Sequence, residues 1–299
     1  MKIAVTGGTG FIGNHLVRYL REQGNEIIII SRSWQPSKHS DVQLVTWDQL
    51  KANPHQLEGI EAIVNLAGES INQRWTQAHK SRILQSRLFA ADRIAQLVAT
   101  LSQKPHVVVN ASGMSIYGTS LTETFHEQSP HRIHDFLSTV CQKWEEDADR
   151  ILQVRLVKIR IGIVLGNDGG AFPKMALPYR IGIGGKIGSG QQWNSWIHVE
   201  DMVRLIEFCI QDQHITGAVN ATAPHPVTND QFGRILAKVL ERPHWFPVPA
   251  WIMKTIFGEL STLLLDGQRV IPKVLQDHGF EFKYPTLEQA LRQLSKPSS

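Results

Sequence analysis

Ser112 and Tyr117 in "NASGMSIYG", with Cys141 and Glu145 in "CQKWE", are the side chains of this sequence best suited to move a proton. Four residues apart on a helix, Cys141 and Glu145 share one face. A carboxylate beside a thiol raises its pKa and weakens it as a nucleophile. The same stretch also suits a core, because Leu137, Cys141, Trp144 and Ala148 form an apolar stripe in which cysteine behaves as a small hydrophobe. Tyr117 offers a phenol as an acid. His198 in "WIHVED" offers an imidazole that titrates near neutral pH, or else a structural link. Residue types alone allow acid–base chemistry without naming its catalyst.

A cofactor site is written more plainly. "VTGGTGFIG" follows a strand and opens a helix, with Gly7, Gly10 and Gly13 spaced GxxGxxG and Gly8 completing GxGxxG. Glycines let the backbone approach a pyrophosphate, which rests on the N–H groups of Phe11, Ile12 and Gly13 at the helix N-terminus. A structural turn is the alternative; the placement between strand and helix favours a dinucleotide. At the end of the second strand stand Ser31 and Arg32, with no carboxylate for a ribose hydroxyl. A guanidinium there suits a 2′-phosphate, which puts NADP(H) ahead of NAD(H), against the alternative of an ordinary loop arginine. Strand-end topology adds Asp48, then Leu66, Ala67 and Gly68, then Ala111 and Ser112, as cofactor neighbours.

Apolar runs rich in Val and Ile, namely "KIAVT", "EIIII", "VQLVTW", "EAIVNLA", "HVVVNAS" and "RLVKIRIGIVL", must carry these residues. They alternate with helix-period stretches such as "FIGNHLVRYLREQG" and "HDFLSTVCQKWEEDADRIL". The pattern predicts an α/β, Rossmann-type doubly wound parallel sheet over 1–165, with about 198–228 returning to it. Residues 166–299 read as a smaller, mainly helical substrate-binding region: glycine-dense between Gly182 and Gly190, helical from Ala250 onward.

Composition bounds the partners. The chain has 299 residues, 42% apolar and 19% charged, with net charge +4. Its basic residues are scattered, which argues against nucleic acid. Cys141 and Cys209 sit in no metal-ligand or disulfide spacing. No signal peptide or spanning stretch is apparent, so the expectation is a cytoplasmic monomer or homodimer with a small-molecule substrate and no membrane partner.

The glycine motif, "NLAG", "ASGMSIYG" and "WIHVEDM" together resemble the extended short-chain dehydrogenase/reductase superfamily. More narrowly, "VNLAGESINQRW", "SRLFAADR", "VCQKWE", "GGKIGSGQQWNSWIHVED" and the C-terminal "LLLDGQRVIPKVLQDHGFEFKYPTLEQAL" resemble an atypical branch. That branch is the NAD-dependent epimerase or nucleoside-diphosphate-sugar epimerase family, some of whose members are labelled cell-division inhibitors. The resemblance implies a Ser, Tyr and Lys that shuttle the proton while hydride moves at the nicotinamide. Here Ser112 (or Gly113) falls in the serine region, but Cys141 and Glu145 occupy the Tyr and Lys positions. None of the four tyrosines has a lysine four residues later. Glu145 then accepts from the cofactor ribose, and Ser86-Arg87 faces its phosphates or ribose, or is an exposed helix arginine. On the substrate side, the resemblance aligns "YRIGIGGKIGSGQQWNSW" with the nucleotide-sugar region. It gives Arg180 and Lys186 a diphosphate, and Gln191 and Trp193 a base or sugar; tight glycine turns are the alternative. The implied activity is an NADP(H)-dependent oxidoreductase or epimerase on a sugar nucleotide or other small carbonyl or alcohol. The missing Tyr–Lys pair fits equally a non-catalytic NADP(H)-binding sensor.

Overall fold

The computed structural model describes residues 1–34 and 42–296. Strands β1 (Lys2–Thr6), β2 (Glu26–Ser31), β3 (Gln43–Thr46), β4 (Ala62–Asn65), β5 (Val107–Gly113), β6 (Arg155–Ile161) and β7 (Gly217–Ala221) form one sheet. Their order is β7-β6-β5-β4-β1-β2-β3, and every neighbouring pair is parallel. The main helices are α1 (Phe11–Glu22), α2 (Gln77–Thr100), α3 (Phe136–Ala148), α4 (Phe172–Arg180), α5 (Val199–Gln211), α6 (Asn229–Leu240), α7 (Ala250–Phe257) and α8 (Leu287–Leu294).

The strands are continuous apolar runs because both sheet faces are covered. Side chains alternate between the faces. Ile3 and Val5 of β1 pack with Leu16, Val17 and Leu20 of α1 and with Met202, Leu205 and Ile206 of α5. Ala4, Ile28, Ile63 and Val108 point the other way, onto Ile94, Leu97 and Val98 of α2 and onto Trp47 and Leu50. Each such fully buried aliphatic contributes about 1.5–3 kcal/mol. A separate core holds the C-terminal region together: Phe172 and Tyr179 of α4, Phe232 and Leu236 of α6, Leu287 and Leu291 of α8, and Trp196.

The apolar run "RLVKIRIGIVL" predicts one strand; the structure divides it at Gly162. Beyond that glycine, Ile163–Leu165 leaves the sheet and pairs with Trp196–His198. A β-carbon at 162 would come within 2.6 Å of the Ser195 carbonyl oxygen, so only glycine lets the two backbones meet. The chain then returns, α5 packing against α1 and β7 pairing with β6 at the sheet edge.

From β1 the chain runs outward through β2 and β3, then restarts at β4 on the other side of β1. That reversal opens a crevice at the carboxyl ends of β1 and β4. The helices that follow begin differently. Thr76 caps α2 by accepting the His79 N–H, and Asp135 caps α3 by accepting the Ser138 N–H at 2.7 Å. Helix α1 is entered from Gly10 with no side-chain cap, so its first N–H groups face the crevice unclaimed by any side chain.

Candidate functional site

The glycine loop has the shape of a cradle for a phosphate pair. Gly7 has φ +68°, and a β-carbon on it would come within 2.6 Å of the Leu66 carbonyl oxygen at the end of β4. A β-carbon on Gly13 would collide with the Gly7 carbonyl. The Gly10 N–H donates to the Gly7 oxygen at 2.9 Å and closes the turn. The bare N–H groups of Phe11, Ile12 and Gly13 at the positive end of α1 therefore fit the pyrophosphate of a dinucleotide. Beneath lies a buried polar chain across the central strands: Thr6 donates to Asn65 at 2.6 Å, and Asn65 to Asn110 at 2.6 Å. Asn65 also accepts the Ala67 N–H at 3.3 Å, which shapes the Leu66–Gly68 wall. At the outer rim Ser31 is half-buried and donates to the Ser33 carbonyl, while Arg32 is exposed.

A loop from the C-terminal side clasps this end of α1. The Phe11 ring lies against Gly166, Gly169 and Gly170, and His15, one turn on, pairs with Asp168 at 2.9 Å. That loop belongs to the stretch "GIVLGNDGGAFPKM".

Arg87 reaches the far wall of the crevice. Its guanidinium packs against Gly68, donates to the carbonyls of Glu69 and Ile83, and sits 5.0 Å over the Trp144 ring. Burial lowers its pKa. It is thus neither an exposed helix arginine nor free to move far.

The residues read as catalytic converge around the end of β5 and the buried face of α3, but their polar groups are already engaged. Ser112 donates its hydroxyl to Glu145 at 2.8 Å. Arg160 of β6 grips the same carboxylate at two points, Nε to Oε1 at 2.8 Å and Nη2 to Oε2 at 2.9 Å. Burial pushes the Glu145 carboxyl up, but the guanidinium's hydrogen bonds and charge outweigh it and hold the pKa below the usual carboxylate value. Lys158 Nζ also approaches Oε2, at 3.8 Å, so the carboxylate is enclosed by two cations. Arg160 also donates to the Tyr117 hydroxyl at 2.8 Å and meets His131 Nε2 at 2.7 Å. Tyr117 donates onward to Asn220 at 2.7 Å and stacks on Phe125. It is 0% exposed, and burial pushes its phenol up to about 12. Its hydroxyl thus has a donor and an acceptor within the protein.

Cys141 is buried with Ile116, Tyr117, Phe125 and Val270. Burial, then the Glu145 charge, pushes its thiol up to about 12. A β-carbon on Gly113 would lie 2.9 Å from the sulfur, so glycine at the end of β5 makes the space the thiol fills.

On the C-terminal side the expected residues disperse. Trp193 donates its indole N–H to the Leu121 carbonyl and lies under Arg269; Gln191 is exposed nearby. Arg180 and Lys186 are exposed beside Ile181 and Ile183. His198 is buried, its Nδ1 accepting the Glu200 N–H and its Nε2 donating to Gln293, and it binds the last helix to the core. Arg160, Asn65, Asn110 and Asn220 escaped the sequence reading. Their signal was a polar residue inside an otherwise apolar strand, which requires a buried partner.

Sequence and structure comparisons agree with this geometry. The sequence profile of the NAD dependent epimerase/dehydratase family matches residues 3–221, and that of a domain of unknown function matches 248–294. The epimerase family protein YfhF of Bacillus subtilis is 43% identical over 297 residues, 98% of each chain. The structure of the human epimerase family protein SDR39U1 (isoform 2) with NADPH superposes with a TM-score of 0.91 at 36% identity, covering 98% of this chain and 99% of that one. A nucleoside-diphosphate sugar epimerase from Corynebacterium glutamicum gives 0.79 at 29% identity, with 98% of this chain aligned to 58% of that one. With an uncapped helix over a glycine cradle at the sheet's reversal point, and the family profile matched over residues 3–221, the chain belongs to the NAD dependent epimerase/dehydratase family.

Proposed function

We propose that this protein is an NADP(H)-dependent oxidoreductase or epimerase acting on a sugar nucleotide or another small carbonyl or alcohol. The observation that carries the reading is the uncapped start of α1 above Gly7 and Gly13, with Arg32 rather than a carboxylate past β2. The NADPH bound by the human relative supports the choice of dinucleotide. When bound, the nicotinamide supplies or accepts a hydride. The chain's own share is to bind and orient: N–H groups of Phe11, Ile12 and Gly13 for the pyrophosphate, Arg32 for the 2′-phosphate, Leu66 to Gly68 as a wall. With its proton directed at Glu145, Ser112 has lone pairs left to accept a hydrogen bond from a substrate hydroxyl and orient it. In this reading residues 1–165, rejoined by 198–228, hold the cofactor and 166–299 the substrate. Gln191 and Trp193 face the substrate.

A second reading, an NADP(H)-binding sensor without turnover, draws on a separate observation. Tyr117 and Cys141 are held protonated by burial, with pKa values of about 12. One experiment separates the two. The NADPH-loaded protein is offered sugar nucleotides and small carbonyls while cofactor absorbance and epimer ratios are followed. Turnover that Ser112→Ala reduces supports the enzyme. Tight NADPH binding with no turnover across the panel moves the assignment to the sensor.

A further inference from the structure

Two stretches distant in sequence, 174–188 and 242–257, lie side by side along one edge of the C-terminal region. The N–H groups of Trp245 and Phe246 both donate to the Gly184 carbonyl at 3.1 Å. Val248 donates to Lys186 and Gly188 to Val248, each at 2.9 Å, and the Trp245 indole N–H reaches the Gly182 carbonyl at 3.3 Å. This ladder brings together side chains that face water. Leu177, Ile181 and Ile183 from the first stretch and Trp245, Phe246, Trp251 and Ile256 from the second are each 50–69% exposed. The sequence carries such residues elsewhere in its cores; so many exposed together mark a surface that something covers.

Charge identifies the cover. Lys174, Arg180, Lys186, Arg242 and Lys254 lie within these stretches, all exposed, and neither stretch contains an Asp or Glu. Exposed Glu241 adjoins Arg242, so cations still outnumber carboxylates here; Glu259, just beyond α7, is taken by Lys80, and Asp230 behind the ladder is held by Arg234 and His244. A second copy seated symmetrically here would set cation against cation. An anionic bilayer suits every feature: Trp and Phe enter the headgroup boundary, the Ile and Leu side chains the acyl layer beneath, and Lys and Arg meet lipid phosphates.

We propose that this aromatic and basic edge docks the protein peripherally on an anionic lipid surface. No described helix is long and apolar enough to cross a membrane, so the attachment is to one face of it.

The full chain is sedimented with vesicles of phosphatidylcholine alone and of equal phosphatidylcholine and phosphatidylglycerol. Partitioning onto the anionic vesicles is expected to exceed that onto the neutral ones by about tenfold or more, and to fall in high salt. Trp245→Ser with Trp251→Ser, and separately Arg242→Glu with Lys254→Glu, lower it by about tenfold. Melting temperature and NADPH affinity stay unchanged, since these side chains are exposed and outside the cofactor cradle. Equal partitioning onto both vesicles, or full binding by both variants, overturns the proposal. It is also overturned if light scattering finds a dimer that the Trp pair holds together, or if the protein binds poly-glutamate but not vesicles.

Discussion

The Glu145 carboxylate and the Arg160 guanidinium form a two-point ion pair inside the protein, where Glu145 is 4% and Arg160 3% exposed. It joins α3 to β6 at the position where the resemblance had implied a lysine. Around it are fixed Ser112, Tyr117 and His131, so one pair organises the whole end of β5.

Removing half of that pair should be costly. Arg160→Met leaves a buried carboxylate without its partner and is expected to lower unfolding free energy by about 3–5 kcal/mol in urea denaturation. Glu145→Leu combined with Arg160→Met should recover most of the loss, because no unpaired charge remains. Losses that simply add would show that the two side chains do not act as a unit.

Gly13→Ala tests the cradle. Its methyl group collides with the Gly7 carbonyl, so NADPH affinity should fall by roughly tenfold or more and stability by about 1–3 kcal/mol. Gly24→Ala is the control: φ is +79° there with nothing within 4 Å, so it costs about 1–2 kcal/mol and leaves affinity intact. Fluorescence titration of both variants reads the difference.

Arg32→Ala should weaken NADPH by about 10- to 100-fold, the worth of a charged hydrogen bond to the 2′-phosphate, and leave NADH nearly unchanged. Equal losses for the two cofactors would remove Arg32 from the phosphate site.

Alkaline pH should unfold the protein early. Burial raises Cys141 and Cys209 from 9.0 to about 12, and Tyr117 from 10.0 to about 12. For groups whose folded pKa is raised, the stability is fully present below the unfolded values and is lost as pH rises from 9 towards 12. The denaturation midpoint should fall across that window, and less steeply in a variant carrying Cys141→Ala and Cys209→Ala. Both thiols should also resist aromatic disulfide reagents until the chain unfolds.

Much of this could be read from the chain before folding. Val- and Ile-rich runs alternating with amphipathic stretches specify a doubly wound sheet because each strand buries both faces. Glycines at 7 and 13 let the end of β1 meet the end of β4 and the start of α1, because only hydrogen fits there. Less legible were elements ended by contacts distant in sequence. Gly162 divides an apolar run because Ser195 lies against it, and no local propensity encodes that neighbour.

The sequence by itself determined the fold class, the dinucleotide end and the absence of a Tyr-x-x-x-Lys pair, all properties of spacing and residue type. Tertiary structure alone decided what stands in that pair's place. The choice between a reactive thiol and a core residue at Cys141 depends on burial and on the charges around it. These are set by Gly113, Glu145 and Arg87, which come from three different elements. Desolvation and pairing energies exist only once those elements have met, and so the chemistry of the site belongs to the packing.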